Sequence, residues 1–181
     1  LLASLVDSSM DLLASLLNFY LVRYALKPAD SDHQFGHGKA ESLSSLAQSA
    51  FILGSALFLL LNSFKLLFHP TPLHQPLLGI IVSLISALIT LGLVCYQRYV
   101  VSKTKSVAIR ADMLHYLADL LVNLAVVAAL CLSFFGFIYA DALFAIFIGV
   151  YIFYGAIKIG YESTQDLLDK ALSEEELNRI I

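Results

Sequence analysis

The chain has 181 residues, of which 59% are hydrophobic and 14% charged, with a formal net charge of −3 and a mean hydropathy of +0.81. A soluble domain of this length cannot hide so much apolar surface, so the surrounding medium has to be lipid. The acidic balance excludes nucleic acid as a natural partner, and the opening residues LLASLVD carry neither the basic region nor the cleavage site of a signal peptide.

Crossing a bilayer takes about 20 helical residues. The first stretch, 1–26, qualifies only if Asp7 and Asp11 are accepted inside it. KPADSDHQFGHGK then interrupts the chain, and the uncharged run 42–64 follows. HPTPLHQP separates it from the run 77–97, and SKTKS separates that from 120–140, which extends backwards through His115 to about residue 107. After FFGFIYAD comes the run 142–165. Glycine, proline and small polar residues fall where the turns should be, and alternation of the strand type is absent. The expectation is an all-α integral membrane protein with a transmembrane domain over 1–170. Its helices fall at about 1–26, 40–68, 77–101, 107–136 and 141–168, with a loop at 27–39 and the start of a linker at 171–181.

Basic residues set the orientation. Lys27, Lys39, Arg98, Lys103, Lys105 and Arg110 cluster in two connections, and Lys158, Lys170 and Arg179 follow at the end of the last span. The opposite side has only Lys65. The positive-inside rule makes the 27–39 loop, the 98–110 stretch and the C-terminus cytoplasmic. The first span then enters from outside. One more helix upstream would return the N-terminus to the cytoplasm, and the absent initiator methionine points the same way. A six-helix bundle with five helices present is expected.

Chemistry inside these spans is concentrated. Asp7 and Asp11 are four residues apart, as are His115 and Asp119, so each pair lies on one helix face. At about 1.5 Å per residue, Asp11 lies about 24 Å from Lys27 and His115 about 18 Å from Lys103. Both pairs are therefore well inside the bilayer at similar depth, on antiparallel helices, and can meet. Three carboxylates in low dielectric repel one another, and an isolated charge at the bilayer centre costs at least about 3 kcal/mol. A bound cation relieves both. Three carboxylate oxygens and one imidazole nitrogen suit a four-coordinate Zn²⁺ ion. The plain alternative, polar contacts that glue the bundle, fits poorly with four ionisable residues and no basic partner in the spans. Asp112 shares the helical spacing of His115 and Asp119.

The loop ADSDHQFGHGK offers a second constellation. Asp30, His33 and His37 are spaced so that a loop could wrap round one metal, with Asp32 as a spare oxygen and Gly36 and Gly38 for the tight backbone. Loops rich in these residues are common without metal. His69 and His74 read as ordinary loop histidines. Cys95 and Cys131 stand singly in apolar runs and read as small core residues. The small residues near Gly54 and at Gly149, Gly155 and Gly160 identify no interface by themselves.

DSSMD, HQFGHGKAESL and RADMLHYLAD together resemble the cation diffusion facilitator family, in particular its bacterial zinc and ferrous-iron efflux members, over nearly the whole chain. The resemblance implies a transported-ion site between the family's second and fifth helices at Asp7, Asp11, His115 and Asp119, accepting Zn²⁺ and Cd²⁺. It implies a second zinc site at Asp30, His33 and His37. It also implies that Lys39 and Asp169 form a charged interlock near the cytoplasmic surface that helps hold a homodimer together. Family members continue beyond LSEEELNRII into a cytoplasmic metal-sensing domain.

The resulting expectation is a secondary transporter of the bacterial inner membrane, not an enzyme, that exports Zn²⁺, with Cd²⁺ and Fe²⁺ as further cargo, in exchange for protons. Metal and protons compete for one ligand set, and His115 is the natural proton carrier because histidine changes charge near neutral pH. Alternating access would rock the helices bearing the two pairs. Leu114 is either part of an apolar gate or simply a lipid- or core-facing leucine. A metal-binding channel or membrane sensor without proton coupling is the main rival, although the polar residues cluster at one depth and do not line a pore. An intramembrane hydrolase would need an open coordination position, which four protein ligands close.

Overall fold

A computed structural model describes residues 2–68, 76–133, 135–137 and 139–169, with the backbone alone described at 2–10 and 76–79. His69, His74 and the expected linker at 171–181 lie outside the described residues. The described residues form five helices and no strand: α1 (Leu2–Ala25), α2 (Lys39–Phe68), α3 (Pro76–Thr104), α4 (Val107–Ser133) and α5 (Ala140–Leu167). Four of them, α2, α3 from Ile80, α4 and α5, are long and apolar enough to cross a membrane. The α3 helix runs three residues past the expected end, and α4 is helical through Ser133.

Local chemistry explains the sharpest break. Lys105 adopts a left-handed conformation (φ 54°), which stops α3. Ser106 Oγ then accepts the Ile109 N–H as a helix cap, and Glu41 Oε1 of α2 accepts the Val107 N–H at 3.0 Å. The start of α4 is thus pinned to α2.

The packing is inverted relative to a soluble protein. The largest fully buried side chains are Ser44, Ser45, Ser49 and Ser163, whereas Phe19, Phe58, Leu88, Ile89, Phe147 and Tyr154 are exposed. Lipid solvates apolar side chains as well as a protein core does, so helices associate through close contact between small residues and through hydrogen bonds. The α2–α5 seam follows this rule. Ser163 Oγ donates to Ser45 Oγ at 2.8 Å. A Cβ at Gly160 would meet Ser49 Oγ at 2.9 Å, and one at Gly149 would meet Leu60 Cδ2 at 2.8 Å. These glycines are what let α5 lie against α2.

Leu114 is a core leucine: it is buried and packs with Ile52, Ala56, Ala111, Ile152, Ala156 and Ile159. The two cysteines depart from expectation. Cys95 of α3 and Cys131 of α4 are both free and exposed, on helix faces that no other described helix covers. In contrast to the seam, α1 rests mainly on α2, where Ser44 Oγ donates to Asn18 Oδ1 at 2.8 Å, and touches α4 only lightly among the described residues.

Candidate metal centres

Asp11 on α1 and His115 on α4 come together. His115 Nε2 lies 3.6 Å from Asp11 Oδ1 and 3.8 Å from Asp119 Oδ2. Two carboxylates from different helices therefore converge on one imidazole nitrogen. The separations exceed a hydrogen bond. They approach the roughly 3.3–3.6 Å expected between two ligand atoms that each stand about 2.0–2.2 Å from a tetrahedral ion. His115 is largely buried and the two carboxylates are half exposed. The side chain of Asp7 lies outside the described residues. Asp119 also accepts through its backbone carbonyl from the Asn123 amide at 2.8 Å.

The loop constellation is tighter. One ligand atom from each of Asp30, His33 and His37 lies within 4.8 Å of the others. Asp30 Oδ1 is 3.5 Å from His33 Nδ1, and Asp30 Oδ2 is 3.5 Å from His37 Nε2. The local fold explains the convergence. Asp30 Oδ1 accepts the backbone N–H groups of His33 at 2.7 Å and Asp32 at 3.0 Å, which folds the chain into an Asx turn. Gly36, at φ 80°, then takes a left-handed step that other residues adopt with strain, and its N–H donates to the His33 carbonyl. The hydrogen bond from the His33 N–H, with a smaller one from Asp32 and the nearby imidazoles of His37 and His33, holds the Asp30 carboxyl below its ordinary value despite a smaller opposing cost of burial. Asp32 supplies a backbone donor, and its carboxylate is outside the three-residue group.

His37 is buried, with its ring edge-on to Tyr24, while His33 and Asp30 are exposed. The Nδ1 of His37 has no hydrogen-bond partner among the described residues. Two imidazoles and a carboxylate at this spacing fit a Zn²⁺ ion with a fourth position facing water.

Lys39 Nζ reaches Asp169 Oδ2 at 2.7 Å within one chain, and the Leu167 carbonyl at the end of α5 at 3.3 Å. The second contact places a cation on the negative end of that helix. Asp169 takes a left-handed backbone conformation (φ 55°) to present its carboxylate. This pair and the Glu41 cap on α4 gather the 27–39 loop, the α3–α4 turn and the end of α5 at one end of the bundle.

Three contacts escaped the sequence analysis. Arg110 on α4 pairs with Glu162 on α5. Glu41 caps α4. Asp112 is held by the amides of Gln48 and Gln97 from α2 and α3. Each glutamine sits near the end of an apolar helix, and that polar intrusion was the available signal.

Comparison with known proteins follows the same lines. Residues 1–168 match the cation efflux transmembrane domain family. The chain is 60% identical to the cation-efflux pump FieF of Yersinia pestis (strain Pestoides F) over 181 residues, which is all of this chain and 60% of that protein. The figures are the same against the cation-efflux pump FieF of Yersinia pseudotuberculosis serotype O:3 (strain YPIII). The chain thus spans about 60% of the length of the curated relatives it matches.

Proposed function

This chain belongs to the cation diffusion facilitator family, and from that premise we propose that it forms a membrane-embedded exporter of divalent metal ions that exchanges them for protons. One observation carries the reading: Asp11 of α1 and Asp119 of α4 converge on Nε2 of His115. With Asp7 added from the next turn of α1, the cargo would sit among three carboxylate oxygens and one imidazole nitrogen. Zn²⁺ is the cargo this set suits best, with Cd²⁺ and Fe²⁺ as further substrates. The protein acts as a secondary transporter and not as an enzyme.

Proton coupling follows from the ligand set. A Zn²⁺ ion among three carboxylates and a neutral imidazole leaves a net charge near −1. Departure of the ion leaves three negative charges that protons must meet. His115 takes one because its side chain is the one that changes charge near neutral pH.

Alternating access would rock α1 and α4 against the α2–α5 seam. A pocket of about 160 Å³, lined by Asn62, Ser63, Asp141 and apolar residues of α2, α4 and α5, lies between α4 and that seam. Asp30, His33 and His37 would hold a resident Zn²⁺ that fixes the cytoplasmic loop. Lys39 and Asp169 would brace a homodimer at the inner face of a bacterial plasma membrane, with the C-terminus cytoplasmic.

Zinc-driven proton flux in proteoliposomes tests the proposal, using the full-length protein beside Asp11→Ala and His115→Ala. Proton counter-movement in fixed ratio to zinc, lost in both variants, is expected. Zinc flux without proton movement would point to a channel and overturn the mechanism.

A further inference from the structure

Asp112 lies on α4 three residues before His115, one turn nearer the end that carries the loop. Its carboxylate is held from two other helices. The Gln48 amide of α2 donates to Oδ1 at 2.8 Å, and the Gln97 amide of α3 donates to Oδ2 at 2.6 Å. Both glutamines are more than nine-tenths buried, at 5% and 7% exposure, yet neither amide oxygen has a hydrogen-bond partner among the described residues. Among the described residues no lysine, arginine or histidine pairs with Asp112, since the nearby Arg110 is engaged by Glu162. A carboxylate that takes an amide N–H from each of two buried glutamines, whose oxygens are left on the far side of each amide, therefore forms a polar node inside an apolar bundle.

Interhelical glue alone leaves this arrangement unexplained, because buried polar atoms are almost always matched. An amide presents nitrogen or oxygen to the same neighbour after a half-turn of its last torsion. As placed, the amides suit a bare carboxylate. Turned over, they would present two oxygens beside it, an arrangement that only a cation between them makes favourable.

We infer that Asp112, Gln48 and Gln97 form an oxygen-only cation site on the loop side of His115, separate from both metal centres. Its donors, one carboxylate and two neutral carbonyls, suit a hard divalent ion that keeps part of its water, such as Mn²⁺ or Fe²⁺, better than Zn²⁺. With a single negative charge the site binds weakly, as a stopping place must if the ion is to leave again. Its role as a step on the way to His115 rests on the exporter reading. The binding site itself does not.

The test uses the full-length protein in lipid nanodiscs, with Asp11→Asn, His115→Ala, His33→Ala and His37→Ala silencing the two other centres. Bound Mn²⁺ is counted by electron paramagnetic resonance. Adding Asp112→Asn, or Gln48→Leu with Gln97→Leu, is expected to remove one Mn²⁺ per chain, with a dissociation constant on the order of 10⁻⁴–10⁻³ M. Gln97→Glu supplies an oxygen whichever way it turns, so it should tighten that site about tenfold. Mn²⁺ binding that is the same with and without Asp112→Asn, or that Gln97→Glu weakens, would leave only a structural clamp and overturn the inference. Transport plays no part in this readout, so its result stands apart from that of the flux assay.

Discussion

Asp11 Oδ1 and His115 Nε2 face each other at 3.6 Å across two helices that otherwise touch little among the described residues. An ion held there gains ligands from both sides, so each side should be indispensable. Asp11→Asn and His115→Ala should each weaken Zn²⁺ binding by more than the roughly 10–100-fold that loss of an outer partner costs. Calorimetric titration of the purified protein, with the loop histidines replaced, reads this directly. Binding within threefold of the parent would remove these residues from the site.

The seam between α2 and α5 should resist added bulk. Gly160→Ala places a methyl group 2.9 Å from Ser49 Oγ, and overpacking of this kind costs about 1–3 kcal/mol. Thermal unfolding in detergent should show a lower midpoint. Ser49→Ala in the same background removes the clashing oxygen and should recover most of the loss.

Glu41 is expected to matter through α4. Glu41→Ala leaves the Val107 N–H without its acceptor, a loss of about 0.5–2 kcal/mol for a helix cap. Glu41→Gln keeps an acceptor and loses only the charge on the helix end, about 0.3–1 kcal/mol. Hydrogen exchange at the first turn of α4 should quicken more in Glu41→Ala than in Glu41→Gln.

Lys39 and Asp169 are both more than half exposed, so their ion pair should contribute less than about 1 kcal/mol to the stability of one chain. Asp169→Gly loses the pair yet suits the left-handed backbone, and Asp169→Val loses the pair and strains it. The glycine variant should therefore melt above the valine variant. If the pair braces a dimer, Lys39→Ala should shift the dimer–monomer balance in light scattering more than it shifts the melting point.

Acid should reach the loop late. Folding lowers the Asp30 pKa below its ordinary value of 3.8, chiefly through the His33 N–H. Its contribution is therefore intact above that value and is lost only as pH falls through the lower folded one. Asp30→Asn should weaken loop zinc overall while leaving the shape of the pH profile above about pH 4 unchanged. A profile whose edge moves in the variant would assign the controlling proton to Asp30.

Much of this was legible before any coordinates. Long apolar runs and their breakers gave five helices, because in lipid length and hydropathy leave the backbone few alternatives. Depth counted from basic ends brought Asp11 and His115 within about a turn or two of each other, since rise per residue is constant. Rotation about each helix axis was harder to read. It decided that Cys95 and Cys131 face outward and that Gln48 and Gln97 turn towards Asp112, and no local pattern records it when all faces are apolar. Lys39 and Asp169, 130 residues apart, could be paired only through family resemblance.

The slight contact between α1 and α4 gives the cargo a mechanical part. Serines and glycines rivet α2 to α5 permanently, but an ion among Asp11, His115 and Asp119 would fasten α1 to α4 only while it stays. The passenger would then be its own latch: loading draws the joint shut, and departure lets it swing.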